Sequence, residues 1–461
     1  MNRVSFSASL VGLILLAVLP LRDCHAADQP NVLLILADDL GYQDLGFQGS
    51  PDIQSPHLDR MAGKSIRFTD AHVTASVCSP SRAGLLTGRY QQRFGHEANS
   101  PPHPQGMDRS EATMADRMKS LGYRTAAIGK WHLGATDDQY PTRRGFDTFY
   151  GLREGGRGYL YDQVRYDKPG NHRAIERDGK PVKFAGYLTD VLGQQAIDFI
   201  DLPSSDPFFV YLSFTAPHGP LQATEEDLQR FQHIADKRRR TYAAMVWAMD
   251  RAIGKVMDHL QQIDQLDNTI VWFLSDNGGA TNNASSNVPL AGHKGIKFEG
   301  GIRVPFLMHW SGRFQAGRTE DRMVSSMDIL PTSFAAAGGD PKVMSDGNRP
   351  VDGVNLLPFL SGRDDGVPHR KLYWHKLWFS AMRDGPWKLI YVQDYGYALY
   401  NVADDVSETS NLAARMPERT EAMVADMNRW KQDMAQPLWS EGTRWFKEHS
   451  KNHIRIIEGG R

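Results

Sequence analysis

The sequence predicts an α/β domain built around a large, mainly parallel sheet, followed by a smaller C-terminal α+β unit with an antiparallel sheet. Three observations carry this. Short unbroken apolar runs recur along the first two thirds of the chain, helical patterns separate them, and beyond Gly362 the pattern changes to short strands divided by Gly and Pro turns. Unbroken apolar runs suit strands buried on both faces, whereas short strands joined by tight turns suit an antiparallel sheet.

Asn31–Ala37, reading NVLLILA, is the first apolar run and ends abruptly in Asp38-Asp39. Residues 111–121 read as a helix and 123–128 as a strand opening into Gly129-Lys130-Trp131-His132-Leu133-Gly134. A helix over Leu188–Ile200 precedes a strand at 208–214, which leads to Ala216-Pro217-His218. A helix at 237–263 precedes a strand at 269–274, which runs into Ser275-Asp276-Asn277. Residues 151–171 and 277–291 read as loops bordering a site. Strands at 371–375, 379–383, 387–391 and 398–400 form the antiparallel sheet, and 417–434 reads as a helix. Ligands of parallel sheets gather at the carboxyl ends of the strands, and the polar clusters fall there.

The chain has 461 residues, enough for one large core and a smaller unit. With 53 basic and 54 acidic residues the formal net charge is −1. This excludes global attraction to nucleic acid or a membrane surface, so an anionic substrate must be held by local cations. Arg3, the apolar stretch 11–21 and Cys24-His25-Ala26 read as a cleavable export signal over residues 1–26. Asp23 before Cys24 argues against a lipid anchor, and no later segment is long and apolar enough to span a bilayer. The expected organisation is signal 1–26, catalytic domain 27–362 and C-terminal subdomain 363–461, exported to the periplasm or secreted.

Removal of the signal leaves Cys78 as the lone cysteine, unable to form an internal disulfide. It stands in Cys78-Ser79-Pro80-Ser81-Arg82-Ala83-Gly84-Leu85-Leu86-Thr87-Gly88-Arg89. Pro80 suits the first turn of a helix, which places Cys78 at an N-terminus that favours anions, with Arg82 one turn on. Asp38, Asp39, Asp276 and Asn277 offer hard oxygen ligands suited to Ca²⁺ or Mg²⁺ rather than zinc. Either pair alone more often ends a strand or caps a helix. In an extended segment Lys130 and His132 share a face, a cation beside a proton-transfer group. His218 and Lys294 (in Gly292-His293-Lys294-Gly295) complete the polar set.

The Cys78 segment resembles the signature of the type I, formylglycine-dependent sulfatases of the alkaline phosphatase superfamily. Residues 31–41, Pro56-His57-Leu58-Asp59, 129–134, Ala216-Pro217-His218, Ser275-Asp276-Asn277-Gly278 and 299–305 match family blocks in order. The resemblance implies an alkaline-phosphatase-like α/β sandwich and one divalent cation, usually Ca²⁺, with Mg²⁺ possible. Its ligands would be Asp38, Asp39, Asp276, Asn277 and the residue derived from Cys78. It also implies that a formylglycine-generating or anaerobic sulfatase-maturating enzyme oxidises Cys78 to 3-oxoalanine (formylglycine). A hydroxyl of the hydrated aldehyde would attack sulfur with Asp276 as base. Arg82, Lys130 and Lys294 would offset sulfuryl charge, His218 would protonate the leaving alcohol, and His132 would help expel sulfate. Many relatives carry Arg where this chain has Ala291.

For substrate the export signal favours a sulfated glycan, carrageenan- or fucoidan-like. His96, Glu97 and Asn99, after the signature, are candidates to line the pocket, with His103, Arg157, His172, His293, His375 and Trp378 further candidates. Two alternatives are a non-catalytic sulfated-glycan binding protein and a phosphoester or phosphonate hydrolase of the same superfamily.

Overall fold

The computed structural model describes residues 29–99, 106–160, 172–344 and 349–460. The expected signal over 1–26 and His103 lie outside them. In chain order the strands are β1 Asn31–Ala37, β2 Ile66–Phe68, β3 Ala71–His72, β4 Arg124–Lys130, β5 Thr148–Leu152, β6 Glu176–Arg177, β7 Lys180–Pro181 and β8 Phe208–Ser213. There follow β9 Thr269–Ser275, β10 Phe306–His309, β11 Thr319–Glu320, β12 Val324–Ser325, β13 Lys371–Lys376, β14 Phe379–Asp384, β15 Trp387–Val392 and β16 Gly396–Asn401.

A ten-stranded sheet has the order β11-β2-β10-β9-β1-β8-β4-β5-β6-β7. Its centre, β9-β1-β8-β4-β5, is parallel throughout, and β10 and β6 join it antiparallel on either side. β1 is the hub: Leu34 faces Tyr211 of β8 and Trp272 of β9 in register. Because side chains alternate across a strand, Leu33 and Ile35 enter one core with the Leu188–Ile200 and Lys237–Gln262 helices. Val32, Leu34 and Leu36 enter the other with the Cys78–Thr87, Met114–Ser120 and Ile329–Ala336 helices. The result is a helix–sheet–helix sandwich.

The helix expected at 111–121 starts at Met114, because Thr113 and Asp116 form a capping box. The stretch 151–171 is not all loop: its first two residues end β5, and 161–171 lie outside the described residues.

The small sheet is the meander β13-β14-β15-β16. Leu372, Trp374, Phe379, Ala381, Ile390 and Val392 pack on one face with Ile296, Phe298 and the Gly442–Ile457 helix. Met382, Leu389 and Leu399 pack on the other with Met423 and Met427 of the Pro417–Gln432 helix. Sequence reasoning finds the Pro417–Gln432 helix but not Gly442–Ile457, whose signal is Trp445, His449 and His453 at intervals of four. Among the described residues no helix is long and apolar enough to cross a membrane.

Candidate active site

β1, β4, β8 and β9 are parallel neighbours, so their carboxyl ends meet along one edge. β1 delivers Asp38 and Asp39, β4 ends in Lys130, β8 in Ser213, and β9 runs into Asp276 and Asn277. Asp39 has φ 63°, a left-handed conformation that aspartate tolerates better than most residues and that here turns the chain sharply after β1. The Cys78–Thr87 helix points its first residue at this edge, and all ten of its residues are buried. The first-turn amide of Ser79 donates to Asn99 Oδ1 at 3.0 Å, a cap supplied from the far end of the following loop.

Charged side chains fill the edge. Arg82 donates from Nε and Nη2 to Asp276 Oδ2 at 3.0 and 2.8 Å, and from Nη1 to Ser213 Oγ at 2.6 Å and Lys130 O at 3.1 Å. Lys130 Nζ donates to Asp38 Oδ2 at 2.7 Å. Lys294 Nζ donates to Asp39 Oδ1 at 2.6 Å and to Cys78 Sγ at 3.0 Å. The thiol donates to Asp38 Oδ1 at 3.5 Å. His218 Nε2 lies 3.6 Å from Asp39 Oδ2. The side chains of Arg82, Lys130 and Asp38 are sealed, while those of His218 and Lys294 are 29% and 17% exposed, so the site opens on their side.

Three carboxylates thus face Arg82, Lys130 and Lys294, which meets the requirement that buried charge be paired. Burial pushes the Asp38 carboxyl up, but Lys130, His218 and Arg82 outweigh it and hold the group well below the usual carboxylate range. Asp276 goes the other way: burial and then Asp38 raise it against the pull of Arg82. Burial, then Asp276, pushes the Cys78 thiol up, so an unmodified Cys78 is a poor nucleophile here. Burial, then Lys130 and Arg82, holds His132 well below its ordinary value, so its imidazole is neutral.

Lys130 and His132 do not share a strand face. Lys130 is the last residue of β4, and His132 has φ 61°. The His132 ring lies under Gly155, where a Cβ would come within 2.9 Å of it.

The residues fit a hard cation. Asp38, Asp39, Cys78 and His218 offer ligand atoms within 4.8 Å of one another. Asn277 donates from Nδ2 to Asp39 Oδ1 at 2.8 Å, while its buried Oδ1 has no hydrogen-bond partner. An orphaned buried amide oxygen beside two carboxylates is the donor that a hard cation takes. Asp276 has Oδ2 committed to Arg82, while Oδ1 accepts the Asp39 amide at 3.2 Å.

Several residues expected to contact substrate have partners within the protein. His96 is fully buried, with Nε2 2.7 Å from Ser79 Oγ and its ring edge-on to Trp439. Glu97 is buried, holds the Leu377 amide at 2.8 Å, and burial pushes its carboxyl up to about 7. Asn99 caps the Cys78 helix. His375 Nδ1 lies 2.9 Å from Ser380 Oγ within the small sheet, and Trp378 packs on Trp445 and Phe446. Arg157 is buried over the Phe184 ring. All six make these contacts within the protein. His172 and His293 are half-buried, the latter with Nδ1 2.8 Å from Lys294 O.

Sequence reasoning missed Ser79 and Ser213, although Ser213 obeys the same rule of polar residues at strand ends. It also missed Asn283, whose Nδ2 donates to Asp39 O at 3.1 Å. No periodicity marks that residue.

A cluster of paired charges at the carboxyl edge of a parallel sheet, open on the side of His218 and Lys294 and with a helix N-terminus aimed into it, suits an anionic ester. Comparison with known proteins makes this specific: a family profile for Sulfatase matches residues 30–339, and the chain belongs to the sulfatase family, within the alkaline phosphatase superfamily. It is a sulfuric ester hydrolase. It is 37% identical to human (Homo sapiens) N-acetylgalactosamine-6-sulfatase over 361 residues, 73% of this chain and 67% of the relative. It is 31% identical to arylsulfatase G of Rattus norvegicus over 86% of this chain and 85% of the relative. A solved structure, Ps i-CgsB in complex with k-i-k-neocarrahexaose, superposes with a TM-score of 0.85 at 36% identity, covering 94% of this chain and 99% of that one.

Proposed function

We propose that this protein removes O-sulfate groups from a galacto-configured sulfated glycan, carrageenan-like in the first instance, using a formylglycine hydrate made from Cys78 by a maturating enzyme. The observation that carries the reading is the cluster around Cys78, in which Lys294 Nζ reaches both Sγ, at 3.0 Å, and Asp39. Neocarrahexaose, bound in the solved neighbour, and N-acetylgalactosamine, named in the human relative, are both galacto sugars.

Each residue's work follows from its place. Arg82, pinned by Asp276 and Ser213, fixes the base of the Cys78 helix and contributes positive charge. Lys294 bridges Asp39 and position 78 and Lys130 pairs with Asp38, where the sulfuryl oxygens of a bound ester need compensation. Asp276, raised by burial, accepts the proton of the attacking hydroxyl. His218, on the open side, donates to the departing alcohol oxygen. His132, held neutral, takes the proton that frees position 78 for the next turnover. Asp38, Asp39, Asn277 Oδ1 and one oxygen of Asp276 would hold one Ca²⁺, which when bound supplies positive charge to a sulfate oxygen.

A binding-only role leaves this buried proton-transfer set without purpose. The test is sulfate release from ι-carrageenan oligosaccharides, galactosamine 6-sulfate and glucosamine 6-sulfate. The reading expects turnover of a galacto substrate at a higher kcat/KM than the gluco one. Preference for the gluco sugar would overturn the substrate assignment, and release of phosphate but not sulfate from matched esters would overturn the reaction.

A further inference from the structure

The Gly442–Ile457 helix has two unlike faces. Inward, Trp445, Phe446 and Ile454 pack on the small sheet, and His453 Nε2 receives the Lys297 amide at 2.9 Å. The His449 ring lies against Gly295, where a Cβ would come within 2.3 Å of it. Gly295 follows Lys294, so this helix braces the loop that carries an active-site cation.

Outward, Arg444, Lys447, Lys451 and Arg455 are all exposed. At about 100° per residue they fall within an arc of about 80°, and from first to last they span about 16 Å. Glu448 is the one carboxylate of the helix. Among the described residues Arg444, Lys447 and Lys451 have no ion-pair partner. Lys447, Lys451 and Arg455 also line a groove of ≈ 680 Å³, with Phe446 and Ile454 as its apolar wall and two carboxylates, Asp394 and Glu458, against these three cations. In a chain of net charge −1 this is a local concentration of positive charge.

A row of cations along one edge of a groove, with an apolar wall below, suits a polymer that repeats both anionic groups and sugar-ring faces. A single small ester cannot use it, because hydrolysis needs one sulfate at position 78. We infer that this face is a second binding surface for sulfated polysaccharide, holding parts of the chain outside the catalytic pocket. The inference rests on the sulfated-glycan reading for its ligand class.

The test compares the native protein with Arg444→Gln/Lys447→Gln/Lys451→Gln and with Lys183→Gln/Lys255→Gln/Lys342→Gln, which removes the same charge from exposed sites elsewhere. Retardation in native gels containing ι-carrageenan gives polymer affinity, and kinetics on the polymer and on a small aryl sulfate give function. The expected result is about a five- to ten-fold weaker polymer affinity and a matching rise in polymer KM for the first variant, abolished at about 1 M salt, with aryl sulfate turnover and the control variant unchanged. Equal loss in both variants, or loss in neither, overturns the surface. If no sulfate ester is turned over at all, the reaction assignment fails, and gel retardation still decides the surface by itself.

Discussion

Two buried charge clusters in this molecule are made of much the same side chains. Around Cys78, three aspartates meet Arg82, Lys130 and Lys294. Around Glu299, the carboxylates Asp70, Glu299 and Glu408 meet His72, Arg303, Arg383 and Lys388. Asp70, His72 and Glu299 even satisfy the spacing of a metal site. The second cluster is nonetheless a joint. Glu299 takes Lys388 on Oε1 at 2.9 Å and His72 on Oε2 at 3.0 Å, while Glu408 takes Lys388 at 2.8 Å and the Glu299 amide at 2.7 Å. These bonds tie β15 of the small sheet to the Glu299 segment and leave neither carboxylate oxygen of Glu299 for a ligand. The Cys78 cluster differs in two ways: it opens further to solvent, His218 being 29% exposed against 16% for Asp70, and it has a reactive atom at its centre. Charge, burial and unpartnered buried atoms do not identify a site, since His72 Nδ1 in the second cluster also lacks a partner; a reactive atom at a solvent-facing edge does.

The comparison is broken most severely at Cys78. Cys78→Ala should lower kcat by more than about 10⁴-fold with an unchanged unfolding midpoint, because it removes the nucleophile and little packing. Full activity in that variant would falsify the mechanism. The opposite signature is expected from Lys388→Met, which leaves Glu299 and Glu408 short of a cation: a loss of about 3–5 kcal/mol in thermal or urea unfolding, with activity per folded molecule retained. A variant as stable as the parent would show that the second cluster is not a joint.

Chelation sharpens the contrast. EDTA treatment should reduce sulfate release by about 100-fold, restored by Ca²⁺, with the Glu299 cluster indifferent. Unchanged activity after exhaustive chelation, with the metal shown to be absent, would remove the cation from Asp38, Asp39 and Asn277. The smallest effect is at the helix cap. Asn99→Ala should cost about 1 kcal/mol of stability and lower kcat several-fold through the displaced Ser79 amide, while Asn99→Asp, which also caps, should restore both. A stability loss with kcat intact would leave Asn99 a structural cap only.

Much of this was legible in the sequence because parallel strands are unbroken apolar runs and their ends are where polarity begins. β1 and the Leu188–Ile200 helix fall on their expected residues, and the Asp38-Asp39 and Asp276-Asn277 steps follow from the same pattern. The substrate candidates fared differently. His96, Glu97 and Asn99 stand next to the signature in sequence, but the chain folds that loop inward, where Trp439 donates to Ala98 O at 3.1 Å and Glu441 Oε1 takes the Asn99 amide at 2.8 Å. Those partners lie some 340 residues away, and no local pattern reports a contact at that separation. The Glu299 joint was hidden for the same reason, since Arg383 and Lys388 stand 84 and 89 residues from Glu299.

The central claim is that position 78 carries the reacting group, and the mass of the tryptic peptide Phe68 to Arg82 from active, natively produced protein tests it most directly. The account predicts the aldehyde or its hydrate in place of the thiol. An unmodified Cys78 thiol in fully active protein would contradict it.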